Sequence, residues 1–290
     1  MERTPIMVKN KAYQLGLYEK AMPSTLTWLE KLNQTKSAGF DWLEISVDES
    51  DAKLSRLDYS KTEINEIKDA MNETCVPILT MCLSGHRKYP LGSHDLNTRN
   101  KSLEIMQKAI DLASALGVRI IQLAGYDVYY ETSDESTKEL FSVNLNKCVQ
   151  MAAKAGIILA FETMETLFMD TCKKSMHYVN LNNSPYLQIY PDVGNLTNAS
   201  RISGISVKED LEAASGHIAA AHLKEIIEGH YREIPFGTGD THYDEALEVL
   251  AKQGVRMFTG EFWYIGSVTW EADLAFANTY LRSKIEKYIN

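Results

Sequence analysis

Short runs rich in apolar and β-branched residues alternate along the chain with longer stretches in which apolar residues recur every three or four positions. Eight such runs read as strands, at residues 13–18, 42–47, 77–83, 118–123, 157–161, 187–190, 218–222 and 257–261. Several are almost continuously apolar, as in Ile157-Ile158-Leu159-Ala160-Phe161 and Val118-Arg119-Ile120-Ile121-Gln122-Leu123. Strands covered on both faces read this way, as in a parallel sheet. Successive starts lie about 30 to 40 residues apart, enough for one strand and one returning helix.

The intervening stretches predict helices. Leu26, Leu29 and Leu32 keep helical spacing ahead of a stop at Gly39. Ser60 with Glu63 predicts a capping box before Ile64, Ile67 and Met71. Leu103, Met106, Ile110 and Ala113 form a stripe stopped at Gly117, and Leu140, Val143 and Val149 form one stopped at Gly156. Ser206 with Glu209 predicts a second capping box, with Gly216 as the stop. Leu247 and Leu250 precede Gly254, and residues 268–289 predict a closing helix. Eight strands alternating with about eight helices predict an α/β fold, a (β/α)8 TIM barrel, as a single domain over residues 1–290 with a short N-terminal tail at residues 1–11. An open doubly wound sheet is the rival. No GxGxxG follows the first strand, however, and no linker divides the chain.

Composition narrows the function classes. A net charge of −9 argues against a nonspecific nucleic-acid binder, which needs a basic surplus. No apolar run approaches the roughly 20 residues of a membrane helix, and the start Met1-Glu2-Arg3-Thr4-Pro5 has no signal-peptide core, so a cytoplasmic location is expected. Cys75, Cys82, Cys148 and Cys172 are widely spaced, without a CxxC pair, and read as reduced and mostly buried thiols.

Barrel chemistry sits at the C-terminal ends of the strands. The polar residues predicted there are Glu44 and Asp48; Ser84, His86, Arg87 and Lys88; Gln122, Tyr126 and Asp127; then Glu162, Asp192, His222 with Lys224, and Glu261. Taken singly, a strand-end carboxylate commonly caps the next helix, and a buried histidine commonly bonds to backbone. Glu162, Asp192, His222 and Glu261, however, occupy matching positions on four consecutive strands. Helix capping explains neither the histidine nor the shared level. Three carboxylates and an imidazole brought together resist desolvation, and one divalent cation resolves that conflict. The oxygen-rich set with one nitrogen suits Zn or Mn, with Co or Mg as further candidates.

Motifs along nearly the whole chain carry a resemblance. They are Leu15-Gly16-Leu17-Tyr18-Glu19-Lys20-Ala21, Ser46-Val47-Asp48-Glu49, Leu54-Ser55-Arg56-Leu57-Asp58, and Met81-Cys82-Leu83-Ser84 followed by His86-Arg87 and Tyr89-Pro90-Leu91-Gly92-Ser93. Further on come the run from Ile121 to Tyr130, Tyr190-Pro191-Asp192, Gly194-Asn195-Leu196, His222-Leu223-Lys224, and Pro235-Phe236-Gly237 with Gly239. The sequence resembles the L-ribulose-5-phosphate 3-epimerases, also described as L-xylulose-5-phosphate 3-epimerases, in the xylose-isomerase-like barrel superfamily. The resemblance implies a metal held by Glu162, Asp192, His222 and Glu261, with Glu162 and Glu261 exchanging protons with the substrate. Asn195 departs from the histidine that related ketose epimerases often carry there.

Epimerising carbon 3 of a ketose requires removing a proton and returning one to the opposite face. A metal chelating O2 and O3 stabilises the cis-enediolate, and two carboxylates on opposite sides of it suffice for both transfers. The substrate phosphate needs donors. The candidates are Ser84, His86 and Arg87 after the third strand, and Lys224 and Arg232 after the seventh. Backbone N–H groups of Gly237-Thr238-Gly239 are a further candidate, against the reading of a plain turn. Glu165 is a candidate for a sugar hydroxyl, and Tyr18 and Trp263 for pocket walls. Three rival functions share parts of this pattern. They are an aldose–ketose isomerase acting on a hexulose 6-phosphate, an endonuclease IV-like phosphodiesterase, which would want many more histidine ligands, and a non-enzymatic sugar-binding barrel. Larger members of the family often pair through exposed helices, so a homodimer is expected.

Overall fold

Alternation along each strand decides what faces where. In β1 (Gln14–Tyr18) and β2 (Trp42–Val47), Leu15, Leu17, Leu43, Ile45 and Val47 join one large apolar cluster with helix residues such as Leu32, Ile67, Ile105, Leu145 and Leu281. The intervening residues point the other way, as a period of two requires. The computed structural model describes residues 11–289, so the expected tail at residues 1–11 lies outside them except for Lys11.

The remaining strands are β3 (Ile78–Leu83), β4 (Ile120–Ala124), β5 (Ile158–Glu162), β6 (Leu187–Ile189), β7 (Ala221–Leu223) and β8 (Met257–Gly260). The helices α1 (Trp28–Ser37), α2 (Asp51–Leu54), α3 (Lys61–Thr74), α4 (Leu96–Leu116) and α5 (Glu135–Ala155) follow the first four strands. Then come α6 (Cys172–Asn182), α7 (Val193–Ser203), α8 (Val207–Glu212), α9 (Tyr243–Lys252) and α10 (Trp270–Ile285). All eight predicted strands are present and their pairings are parallel, in the order β6-β5-β4-β3-β2-β1-β8-β7. The ring closes between β6 and β7 through two isolated parallel bridges, Ile189 to Ile218 and Asp192 to His222. The molecule is therefore a (β/α)8 barrel, and its seam lies beside two of the predicted metal ligands.

Helix ends follow the predicted chemistry with particular exceptions. Ser60 and Glu63 form the expected reciprocal capping box, and Thr27 with Glu30 forms another at α1. Ser206 accepts the Glu209 N–H without a return bond, so the second predicted box is half formed. The stripe assigned to α5 is also corrected. Val143 is exposed, and the buried face is Phe141, Leu145, Cys148, Val149 and Ala152. Among the described residues ten α-helices occur rather than about eight, because short α2 and α8 add a turn or so each. All four cysteines are free and three are buried; Cys75 is exposed.

The barrel interior tolerates little change. Gly16 pairs in register with Trp42, and a Cβ on Gly16 would lie 2.3 Å from the Trp42 ring. Trp42 is fully buried and has nowhere to move. Overpacking of this kind costs roughly 1–3 kcal/mol or more. Gly16→Val is predicted to lower the urea midpoint by at least that equivalent, and an unchanged midpoint would show that the ring can shift freely.

Candidate metal centre and active site

The inward faces of the strands change character along the barrel. Ile120, Ala160, Tyr190 and Ala220 form a small apolar plug. Above it lies a buried polar layer of Glu44, Thr80, Gln122, His222 and Thr259, and then the four predicted ligands. Glu162 is the last residue of β5, His222 lies within β7, and Glu261 directly follows β8. Asp192 is the residue before α7 and caps it, its Oδ1 accepting the Asn195 N–H at 2.6 Å. Capping occupies one oxygen and leaves Oδ2 for other work.

One donor atom from each of Glu162, Asp192, His222 and Glu261 lies within 4.8 Å of the other three. His222 Nδ1 is 3.4 Å from Glu162 Oε1, 3.3 Å from Glu261 Oε2 and 3.9 Å from Asp192 Oδ2. Asp192 Oδ2 and Glu261 Oε2 are buried without a hydrogen-bond partner of acceptable geometry, although Lys224 Nζ stands 3.1 and 3.4 Å from them. Buried carboxylate oxygens left unpaired are costly, and a divalent cation at their common focus satisfies them. The donor set fits such an ion.

His222 is aimed by a residue that the strand-end reading noted without a role. Glu44 Oε1 is 2.7 Å from His222 Nε2, while Glu44 Oε2 accepts from Thr80 and from the Tyr190 hydroxyl. With Nε2 donating to Glu44, the neutral ring presents Nδ1 as its lone-pair nitrogen to the carboxylates. A metal-binding histidine fixed by a carboxylate on its far nitrogen is a recurrent arrangement.

Charge is unevenly shared. Burial and the Glu261 charge push the Glu162 carboxyl up. Burial also drives Asp192 well above the usual range, against the opposing pull of Lys224. Glu261 lies well below the carboxylate range, because Lys224 and His222 outweigh its burial. Burial works against a charged His222, yet Glu44 and Glu261 raise it well above the usual imidazole value.

A cavity of about 60 Å³ opens above this cluster. Of the four ligands, only Glu162 and Glu261 line it; Asp192 and His222 lie beneath, fully buried. Ser84, Arg87, Glu165, Asn195, Lys224 and Arg232 line it as well, as do Tyr18 and Trp263. Glu165 links the two arginines. Its Oε2 accepts the Tyr126 hydroxyl at 2.9 Å, which lies 3.4 Å from Arg87 Nη2, and its Oε1 lies 3.4 Å from Arg232 Nη2. Asn195 donates to the Thr163 carbonyl and keeps its Oδ1 unpartnered.

Two expectations fail. His86 does not reach the cavity: it is buried, and Nε2 lies 3.1 Å from the Ser102 carbonyl. Gly85, His86 and Arg87 form a single 3-10 turn. Successive side chains on such a turn point about 120° apart, so Arg87 faces the cavity and His86 faces α4. Of the Gly237-Thr238-Gly239 amides, the first two are also unavailable to an anion, since Glu225 takes the Gly237 N–H at 2.8 Å and Pro235 the Thr238 N–H at 3.1 Å. Lys20, Cys82, Met164 and Tyr231 line the cavity without having been predicted. Only Cys82 carried a signal, being two residues past Thr80 on the inward face of β3.

A family model of xylose isomerase-like TIM barrels matches residues 32–281. An L-ribulose-5-phosphate 3-epimerase UlaE of Salmonella paratyphi A is 40% identical over 279 residues, covering 96% of this chain and 97% of that protein. The chain belongs to the L-ribulose-5-phosphate 3-epimerase family. An Escherichia coli member of this family, of the same name, is 39% identical over the same coverage. The fold of this family member is shared with more distant solved structures. A D-psicose 3-epimerase from Clostridium cellulolyticum H10 aligns with a TM-score of 0.78 at 17% identity, covering 94% of this chain and 99% of that one. An L-ribulose 3-epimerase aligns with a TM-score of 0.74 at 18% identity, covering 95% of each.

Two tests follow from this geometry. Glu44→Gln is predicted to weaken metal binding about 10–100-fold in a chelator competition, as loss of a partner behind a ligand does; unchanged affinity would show that Glu44 does not orient His222. His86 is held neutral by burial, its value depressed from 6.5 to about 4. Its contribution to stability is thus complete above the unfolded value and is lost as pH falls from about 6.5 toward 4, by about 3 kcal/mol. Wild-type protein should lose that much more stability than His86→Gln between pH 7.5 and 4, and parallel curves would contradict it.

Proposed function

We propose that this chain is a metal-dependent 3-epimerase interconverting L-ribulose 5-phosphate and L-xylulose 5-phosphate. The carrying observation is that only the two glutamates of the ligand set face the cavity, while Asp192 and His222 lie beneath. Family membership supplies the substrate class. Glu162, Asp192, His222 and Glu261 would hold one divalent ion, Zn or Mn by donor type. When bound there, such an ion supplies Lewis acidity that makes the proton beside a ketose carbonyl easier to remove.

The proton work falls to side chains. Glu162 and Glu261 come from β5 and from the end of β8, either side of the β6–β7 seam. A sugar carbon between them presents one face to each carboxyl group. One glutamate takes the proton from C3, and the other returns one to the opposite face of the planar enediolate. Their roles exchange in the reverse direction. Lys224, beside Glu261 and Asp192, places a positive charge where negative charge develops on substrate oxygen. Arg87 and Arg232, with the Ser84 hydroxyl, bind the phosphate. Glu165 and the free Asn195 Oδ1 receive sugar hydroxyls. Among the described residues no helix is long and apolar enough to cross a membrane, and a cytoplasmic enzyme of phosphorylated-sugar metabolism agrees with that.

NMR of L-ribulose 5-phosphate in heavy water with metal-loaded protein is predicted to show L-xylulose 5-phosphate carrying deuterium at C3. Label at C1 would instead make the protein an aldose–ketose isomerase, and no exchange would remove the enzymatic reading. Glu162→Gln and Glu261→Gln should each lower kcat by about 10²–10⁴, with metal content measured in parallel. Near-normal turnover in either would defeat the two-carboxylate scheme. Arg87→Ala should raise KM for the phosphorylated ketose, and an unchanged KM would exclude Arg87 from the phosphate site.

A further inference from the structure

The segment between β7 and α9 carries Tyr231 and Arg232 to the wall of the catalytic cavity. The packing of Arg232 does not account for its position. Its side chain is 46% exposed, and among the described residues its one hydrogen-bond partner is Glu165, at 3.4 Å. Its guanidinium stands 5.9 Å from the centre of the Trp263 ring. Glu233, the next residue, has a φ of 63°, a left-handed conformation that is unfavourable for a residue with a Cβ. A half-exposed cation beside such a residue keeps its place only if the chain on either side is held.

Both sides are held. Before Arg232, the turn from Ile227 to His230 meets Asn198 of α7. Asn198 Nδ2 donates to the Ile227 and His230 carbonyls at 3.3 and 3.5 Å, and its Oδ1 accepts the Gly229 N–H at 3.4 Å. After Arg232, the returning chain meets Glu225. Its Oε2 accepts the Gly237 N–H at 2.8 Å, and its Oε1 accepts the Thr241 N–H at 3.2 Å. The two stems are laced further by the Asp240 N–H, which reaches the Ile226 carbonyl at 3.0 Å. The Thr241 hydroxyl accepts the Ile226 N–H at 3.0 Å and donates to the Lys224 carbonyl at 2.9 Å. Gly239 permits this approach: a Cβ there would lie 2.2 Å from the Ile226 carbonyl oxygen and 2.7 Å from Glu225 Cγ.

Glu225 is only 2% exposed, and among the described residues no cationic side chain pairs with it. A buried carboxylate without a cation is costly. What a carboxylate offers here is two acceptor oxygens, one for each N–H of the returning stem; a glutamine would offer one. Glu225 directly follows Lys224 and lies three residues after His222, yet it does not line the cavity. The strand end that supplies groups to the metal centre therefore turns its next side chain outward to grip the loop.

We infer that Glu225 is a positioning residue for substrate binding. It fixes the return of the segment between β7 and α9 onto the strand that carries His222, and so holds Arg232, with Tyr231, over Glu162 and Glu261. The inference rests on the epimerase reading, in which Arg232 meets the phosphate of the substrate.

The test uses the full-length, metal-loaded protein with Glu225→Gln, and with Gly239→Ala as an independent break of the same stem. Trypsin cleavage after Arg232, identified by mass spectrometry, is expected to run about tenfold faster than in wild type, the size of effect that losing a hydrogen bond to a charged group produces. Cleavage at other sites should keep its wild-type rate. KM for L-ribulose 5-phosphate should rise by a larger factor than kcat falls, and metal affinity in a chelator competition should match wild type. Should Glu225→Gln not fold, Gly239→Ala carries the same test. A wild-type cleavage rate at Arg232, or an equal rise at every site, would overturn the inference independently of whether the protein is an epimerase. Faster cleavage with an unchanged KM would overturn it as well, because the held loop would then not serve binding. Absence of turnover in the wild-type protein would instead remove the epimerase reading, and the cleavage rates would still decide whether Glu225 holds Arg232.

Discussion

Three carboxyl groups and an imidazole share one small volume in which almost no water reaches them, and the rest of the barrel is arranged around the electrostatic cost of that. Burial alone drives carboxyl groups toward their neutral form. Glu162 and Asp192 follow that direction, while Glu261 stays ionised because Lys224 and His222 flank it. Two carboxylate oxygens remain unpaired where a cation would bind. A compact divalent charge at their common focus would relieve that cost.

The fold brings these groups together at strand ends and a helix start. Asp192 and His222 are bridge partners across the β6–β7 seam. Asp192 divides its two oxygens between capping α7 and facing the cluster, which ties a helix start to the ligand position. Glu44 reaches across the barrel from β2 to hold the far nitrogen of His222, and is itself held by Thr80 and Tyr190. Strands thus set the level, and the buried polar layer sets the aim. Preorganisation of this sort keeps donors pointed at a developing charge rather than collapsing onto each other.

Much of this was legible in the chain. The strands were, because burial on both faces leaves nearly unbroken apolar runs, and Gly117 and Gly156 marked helix ends where the backbone turns left-handed. The convergence of Glu162, Asp192, His222 and Glu261 was, because period-two alternation and parallel register place strand ends at one height. Lys224 was visible as a same-face neighbour of His222, two residues on, yet its pairing with Asp192 and Glu261 was not, since residue type does not say which charge a lysine meets. Arg87 and His86 looked equivalent until the 3-10 turn sent them in different directions. Val143 was misassigned because it shares apolar character with Phe141 and Leu145 but falls on the opposite side of α5. Glu44 was noted only by position, because its partner lies 178 residues away.

Anomalous diffraction at the metal absorption edge, from crystals grown with zinc or manganese, tests the account at its centre. One peak is predicted, bonded at about 2.0–2.2 Å to Glu162, Asp192, Glu261 and the Nδ1 of His222, with Glu44 still on Nε2. A peak elsewhere, or an ion coordinated by Nε2 with Glu44 displaced, would contradict it.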